Sequence, residues 1–539
     1  MLTCIALSSL VKVFPDEAPR QEGFSGFSVC RGEFGAFQIA LRSDTLSTLE
    51  ISVKSELLIR VFCVDCVPVG LPCHEGDEYY LRREPGLYPD LLRPCDAITA
   101  SPKWQSLWFD VIAKDVQPGS YPVRVQIGKR KLSIQVQVLS CNLPPQKLQY
   151  TNWFHSDCLS TWYGVPVFSE AYWRIVEQYA RTAVVHGMNM ILTPMFTPPL
   201  DTAVGKERPT VQLVDVVKEG EKYSFGFEKL KRWFDLCRSC GIEYFEMSHL
   251  FTQWGAMHAP KIMATVDGQY RQLFGWSTWA ASKRYHRFLE AFAAALCPFL
   301  EQSGMSDRCY FHVSDEPSLD RMHEYGERSR LIRRLFPGYP VIDALSDVDF
   351  FQKGLVQTPV PCINTAENFA LLTPHLWTYY CCGPEKGYYP NRFIAMPSAR
   401  VRILGMLMYR YQVVGFLHWG LNFWYNRLSD HPIDPFRTTD AEGAFPAGDP
   451  FVLYPGEDGS PLVSLRLKVF RQALQDQRAL ELLESLIGRE KTLEILCEGE
   501  TLTFSRYPQS DSWLLSTRER INRAIEKAVR EREADVCTE

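Results

Sequence analysis

At 539 residues the chain is too long for one simple core, so two or three domains are expected. A formal net charge of −5 with no basic stripe argues against nucleic acid as a partner. No apolar run approaches the roughly 20 residues that a membrane-spanning helix needs, so no membrane partner is expected.

The N-terminus, Met1 to Val13, lacks a basic leader and a small-residue cleavage site and reads as a first strand. Seventeen cysteines, an odd number scattered through apolar runs, point to reduced thiols and a cytoplasmic location. Cys63/Cys66 and Cys237/Cys240 have CxxC spacing but fall in different expected domains. Buried thiols are expected there, with no metal and no cofactor.

Residues 1–145 read as an N-terminal β-sandwich. Short alternating runs such as Phe37–Leu41 and Ser106–Val111 are separated by Gly, Pro and Asp clusters. Tyr121–Ile127 and Leu132–Val138 predict a hairpin around Gly128-Lys129-Arg130. Leu143-Pro144-Pro145 reads as a linker.

Over residues 146–487 the period changes. Eight strand-like runs begin near Thr151, Met188, Ile242, Cys309, Val341, Cys362, Leu376 and Val414. Helices are predicted over Tyr172–His186, Phe227–Cys240, Lys283–Gln302 and Met322–Leu335, with a further leucine-spaced helix over Leu465–Ile487. This alternation predicts an α/β fold, a (β/α)8 TIM-like barrel whose active site lies at the strand C-termini. About ten residues separate strands six and seven, room for a short helix only. A small C-terminal extension, 488–539, predicts two strands and a charged final helix.

Polar residues at the strand ends converge in such a barrel: His155, Asp157, Ser248, His249, Asp315, Glu316, Asp343, Asn364, Tyr379, Tyr380, Trp419 and Asn422. The most telling stretch is Cys309-Tyr310-Phe311-His312-Val313-Ser314-Asp315-Glu316-Pro317. A strand sends neighbouring side chains to opposite faces, so Asp315 and Glu316 share one cavity only if the chain turns there. Pro317 favours that turn. Two carboxylates in one cleft resist joint ionisation, which supplies one general acid and one anionic stabiliser. An ordinary solvated turn before a helix has the same composition.

Phe311 to Pro317, Trp377 to Cys382, Gly415 to Phe423, Gly448 to Gly456 and the helix from Ser464 together resemble the bacterial DUF4091 group, a relative of glycoside hydrolase family 123. The similarity covers most of 150–485, and Gly32 to Gln38 resembles the β-sandwich that precedes such barrels. The resemblance implies a retaining, exo-acting β-N-acetylgalactosaminidase in which the substrate's acetamido group is the nucleophile, so an oligosaccharide or glycoconjugate is the partner. Glu316 would protonate the glycosidic oxygen, and Asp315 would hold the acetamide nitrogen of the oxazolinium-like intermediate. Substrate assistance is an exception to the two-carboxylate schemes.

The remaining roles follow from the same resemblance. Tyr379 or Tyr380 would bond the acetamide carbonyl, only one of the two facing the cavity. Trp419 would form the floor under the sugar, with barrel core as its competing role. His249, Gln253 and Trp254 follow strand three within reach of sugar hydroxyls. Asn391 and Asn422 suit hydroxyls, although turn positions explain them equally well. A β-N-acetylglucosaminide or longer glycan as substrate, and a non-catalytic glycan-binding barrel, are the alternatives. The β-sandwich is expected to brace the barrel.

Overall fold

The computed structural model describes residues 1–20 and 23–536. At the N-terminal end a pair of sheets packs face to face. One contains Leu2–Ser8, Phe34–Ser43, Gln105–Ile112, Leu58–Val69 and Gly86–Pro94; the other contains Gly26–Arg31, Arg130–Asn142, Gly119–Ile127, Ser47–Lys54 and Ala97–Ala100. Alternation decides which side faces in: Val123, Val125 and Ile127 are buried while Arg124 and Gln126 between them are exposed. The expected hairpin is present, with Ile134 opposite Val123 and Gly128 taking the positive φ of +53° at its turn. Phe37 stacks on Phe109 from the adjacent strand at 4.7 Å in this core.

Eight short parallel strands carry the region that follows: β1 (Gln149–Asn152), β2 (Met190–Thr193), β3 (Tyr244–Met247), β4 (Cys309–Tyr310), β5 (Ile342–Ala344), β6 (Thr358–Val360), β7 (Trp377–Tyr379) and β8 (Gly415–His418). Six form one sheet in the order β4-β3-β2-β1-β8-β7, and β5 pairs with β6 separately. Single parallel bridges, Phe311 to Val341 and Cys362 to Tyr379, lie between the two sheets. Several strands, such as Met190–Thr193 and Gly415–His418, are buried at every position, as expected where helices cover a parallel sheet. The fold is therefore mixed α/β.

The helices Glu170–Val185, Glu228–Cys240, Lys283–Gln302 and Met322–Leu335 lie where their apolar period places them. Strand six ends before the expected Cys362. Pro361 has no N–H to continue a ladder, and its carbonyl accepts the Tyr379 N–H at 3.0 Å. Only five-residue helices, Val348–Gln352 and Ala366–Ala370, fit around β6. A four-stranded sheet (Asp215–Glu219, Lys222–Gly226, Ile262–Val266, Gln269–Phe274) rises from the loops after β2 and β3.

The C-terminal tail differs from expectation. Among the described residues it holds helices at Arg489–Cys497 and Asp511–Val536 and no strand. The alternating Leu502 and Phe504 are buried in a loop, where the Phe504 N–H donates to Glu367 and its ring stacks on Tyr411 at 4.7 Å. No helix of the described residues is long and apolar enough to cross a membrane.

The sandwich and the parallel-strand region are joined through residues far apart in sequence. Pro461–Ser464 pairs with Gly86–Pro94 and extends the first sheet. The following helix, Leu465–Ile487, is buried over most of its circumference. It approaches Ser398–Arg410 so closely that a Cβ on Gly405 would stand 1.8 Å from the Ala473 carbonyl oxygen. Buried ion pairs pin it to the N-terminal sheet: Arg466 with Asp90, and Lys468 and Arg471 with Asp110. Burial works against the Asp110 charge, yet the two cations hold its pKa down at about 2. Breaking such pairs strands a charge, which ties this helix to the N-terminal sheet.

Candidate active site

Strand β4 runs on through buried His312, Val313 and Ser314 to Asp315 and Glu316, both partly exposed. Glu316 has φ of +43°, a left-handed conformation that costs energy for any residue with a Cβ. Neighbouring strand ends clamp the turn. The Glu316 N–H donates to the Ala344 carbonyl after β5 (3.0 Å), and the Trp254 N–H donates to the Asp315 carbonyl from the loop after β3 (2.9 Å). This turn breaks the alternation that would otherwise separate the two side chains. The Tyr379 hydroxyl, at the end of β7, donates to Glu316 Oε1 at 2.5 Å. Burial, followed by the neighbouring Glu316 carboxylate, pushes the Asp315 pKa well above the carboxylate range, while the His312 cation acts in the opposite direction.

Beneath the pair lies a charged network that the sequence did not announce. His312 Nε2 is 2.7 Å from Glu246 Oε1, and its Nδ1 is 3.2 Å from Asp343 Oδ1, all fully buried. Glu246 also accepts from the Thr151 hydroxyl and the Trp153 indole, both at 2.6 Å. Asp343 accepts from the Tyr325 hydroxyl (2.6 Å) and the Val313 N–H (3.0 Å). Burial opposes charge on His312, but the two carboxylates prevail and raise its pKa to about 10. The available signal was a carboxylate inside the apolar Tyr244–Met247 run and a histidine between Phe311 and Val313.

A folded pKa of about 10 lies above the unfolded value for histidine, so this group's contribution to stability is complete below about pH 6.5. It is lost as pH rises through about 10. His312→Gln is expected to cost about 3–5 kcal/mol at pH 7, because it strands two buried carboxylates. It should also flatten the alkaline fall in stability, read by denaturant melts across pH 6–10. An unchanged alkaline slope would assign that fall to other groups.

His249 stacks on His312 with ring centroids 4.1 Å apart, and among the described residues neither of its ring nitrogens has a hydrogen-bond partner. Burial and the adjacent cation push its pKa well below the ordinary histidine value. His249, His312 and Asp343 offer ligand atoms within 4.8 Å of one another. Both nitrogens of His312 are occupied by carboxylates, the arrangement of an imidazolium between two anions and not of a metal ligand.

Several residues expected to meet substrate have structural partners instead. Asp157 is fully engaged by Arg208, with bonds of 2.7 and 2.8 Å, and His155 Nδ1 accepts from the same guanidinium at 3.0 Å. The remaining His155 nitrogen donates to the Trp419 carbonyl at 2.8 Å, and burial and then Arg208 push the His155 pKa down to about 3. Asn422 clips the His155 backbone through both its amide groups. Asn391 ties the Cys381 carbonyl to the Arg392 N–H. Asp343 belongs to the buried network described above. Of the two tyrosines, Tyr379 meets Glu316, whereas Tyr380 turns into the core against Phe416 and His418. Trp419 is half-buried, packs beside the cluster containing Tyr379, and donates to Asp449 at 3.0 Å. Trp254 stands exposed beside Asp315.

Residues 153–483 match the model of the glycoside hydrolase 123 catalytic domain. A family 123 glycoside hydrolase from Clostridium perfringens, described for glycolipid glycan hydrolysis, superposes with a TM-score of 0.76 at 14% identity, each chain covered in full. Looser likenesses include a β-D-glucuronidase from Dictyoglomus thermophilum, with a TM-score of 0.34 at 8% identity. It covers 86% of this chain and 72% of its own. No curated relative matches the chain. With more than half its length matched by the family's catalytic domain, the chain belongs to glycoside hydrolase family 123 and is a glycoside hydrolase.

Proposed function

We propose that the enzyme removes β-linked N-acetylgalactosamine from the end of an oligosaccharide or glycoconjugate, with retention, the substrate's acetamido group acting as nucleophile. The observation that carries this reading is the clamped Asp315–Glu316 turn with Tyr379 bonded to Glu316, inside the span matched by the family. Adjacent residues on one turn act on neighbouring atoms of a single sugar. They do not bracket it from opposite faces, as the acid and nucleophile of a two-carboxylate retaining enzyme must.

In this mechanism Asp315 holds the resting proton, since burial and the neighbouring carboxylate favour its neutral form. The incoming acetamide N–H needs an acceptor at Asp315, so the proton passes to Glu316, which delivers it to the glycosidic oxygen. The acetamide oxygen attacks the anomeric carbon, and anionic Asp315 stabilises the cationic ring. Water deprotonated by Glu316 then opens the oxazolinium, giving net retention. Tyr379 orients Glu316, and Trp419, braced by Asp449, suits the sugar floor.

The two sheets bridged at Phe311/Val341 and Cys362/Tyr379 support a ring of eight strands, a (β/α)8 barrel over 146–487 between a sandwich (1–145) and an extension (488–539). Sixteen cysteines as free thiols among the described residues favour a cytoplasmic enzyme.

The test pairs chromogenic β-N-acetylgalactosaminide with β-galactoside. Cleavage of the acetamido sugar alone is expected. Equal cleavage of both would require a protein nucleophile and overturn substrate assistance. Selective cleavage of the β-N-acetylglucosaminide would keep the mechanism and change the sugar.

A further inference from the structure

The helices Lys283–Gln302 and Met322–Leu335 stand before and after β4 in the chain and pack against each other. Along the second, Glu327, Arg330, Leu331 and Arg334 recur at helical spacing and share one stripe, which Arg328 borders. With His286 from the first helix, these residues line a groove of about 370 Å³. All of them lie on helices and none at a strand end, so the groove is distinct from the Asp315–Glu316 site.

Arg328 sets this groove apart, for it is only 6% exposed. Other buried guanidiniums are neutralised in place: Arg208, Arg400, Arg402, Arg466 and Arg518 each meet a buried carboxylate. Arg328 has no such partner among the described residues. Its Nη1 donates at 3.3 Å to Glu327, a largely exposed neighbour, and its Nε is buried with no partner among the described residues. Taking a cation out of water is costly unless a counter-charge and hydrogen bonds replace the solvent. Here the cation stands in the wall of a groove, with that replacement left open.

The surroundings add positive charge. Three guanidiniums line the groove against one carboxylate, that of Glu327. The Arg334 bond to Glu290, at 3.2 Å, joins two exposed groups, a pairing that an incoming anion can exchange. His286 Nε2 is buried, again without a partner among the described residues. Burial, followed by the Arg328 cation, holds the His286 pKa below the ordinary histidine value. Arg334 acts in the same direction, and the Ala280 carbonyl and Glu290 act against it.

A planar guanidinium fork matches the oxygen spacing of phosphate and sulfate. The groove is larger than a lone tetrahedral anion fills and lies within the range of small-molecule sites, with Leu331 supplying an apolar wall. We infer that this groove is a binding site for a small phosphate or sulfate ester, with Arg328 as its anchor. The assignment stands apart from which glycosidic bond the enzyme cleaves.

The test is calorimetric titration of the full chain at low ionic strength, with matched chloride as control. The probes are inorganic phosphate, inorganic sulfate, glucose 6-phosphate and glucose 6-sulfate. Saturable binding is expected, with one ester several-fold tighter than its free anion; which ester wins identifies the group carried. Arg328→Gln should weaken that binding about tenfold or more, and Arg328→Lys, which keeps the charge without the fork, should recover only part. The exposed pair Arg330→Gln/Arg334→Gln should weaken it about threefold or more, and decides the matter if Arg328→Gln does not fold. No saturable binding of any probe, or wild-type affinity in the variants, would overturn the site. A free anion as tight as its ester would remove the ester from the assignment. Binding of a polyglutamate peptide in place of every oxyanion would make the groove a protein-docking surface and overturn it as well.

Discussion

Replacing Glu316 with glutamine is expected to lower kcat/KM for a natural glycosidic bond by about a thousandfold or more, with the fold intact. On the proposed mechanism this removes the group that both protonates the leaving oxygen and activates water, for which general acid–base catalysis contributes typically about 10²–10⁴ per step. A thousandfold corresponds to about 4 kcal/mol of transition-state stabilisation. The carboxamide oxygen still accepts the Tyr379 hydroxyl bond, so the thermal midpoint should stay close to wild type. Steady-state kinetics beside a thermal melt separate the two effects. If the variant turned over within tenfold of wild type on a poor leaving group, Glu316 would not be the acid.

Asp315→Asn should lose about 10²–10⁴ of turnover on acetamido sugars and yet gain stability. The folded pKa of Asp315 is raised, first by burial and then by Glu316, so the folded state holds the proton more tightly than the unfolded chain. Its contribution is therefore complete below the unfolded carboxylate pKa and is lost as pH rises toward the folded value. Asparagine is neutral throughout. The melting temperature of Asp315→Asn should exceed that of wild type at pH 7–8, and the gap should narrow toward pH 4. A variant that melts lower than wild type at pH 8 would contradict the proposed protonation of the resting site. The opposing signs of activity and stability are what a strained, charged site predicts.

These two residues were legible in the chain because their signal is local. A strand of aromatic and β-branched residues that stops at Asp-Glu-Pro declares a turn carrying two carboxylates, whatever surrounds it. The same holds for the helices Lys283–Gln302 and Met322–Leu335, whose apolar spacing selects one buried face without reference to a partner.

Charged and amide groups behaved differently. His155, Asp157 and Asn422 follow strand ends and Asn391 lies in the loop after β7, where sugar contacts were expected. Arg208 lies 51 residues from Asp157, and His155 lies 267 residues from Asn422, and those meetings satisfy the side chains internally. Glu246 and His312 interrupt apolar strand runs, and only folding brings Glu246, His312 and Asp343 within hydrogen-bond reach. Tyr379 and Tyr380 are chemically equivalent in sequence, and only the strand's rotation gives one to Glu316 and the other to the core.

Backbone propensity and apolar period act between covalent neighbours, so elements and the Asp315–Glu316 turn were already written in the residue order. Whether a buried polar group serves substrate or structure depends on which distant group meets it first, because each must find a partner when water is removed. That choice was made by the tertiary fold.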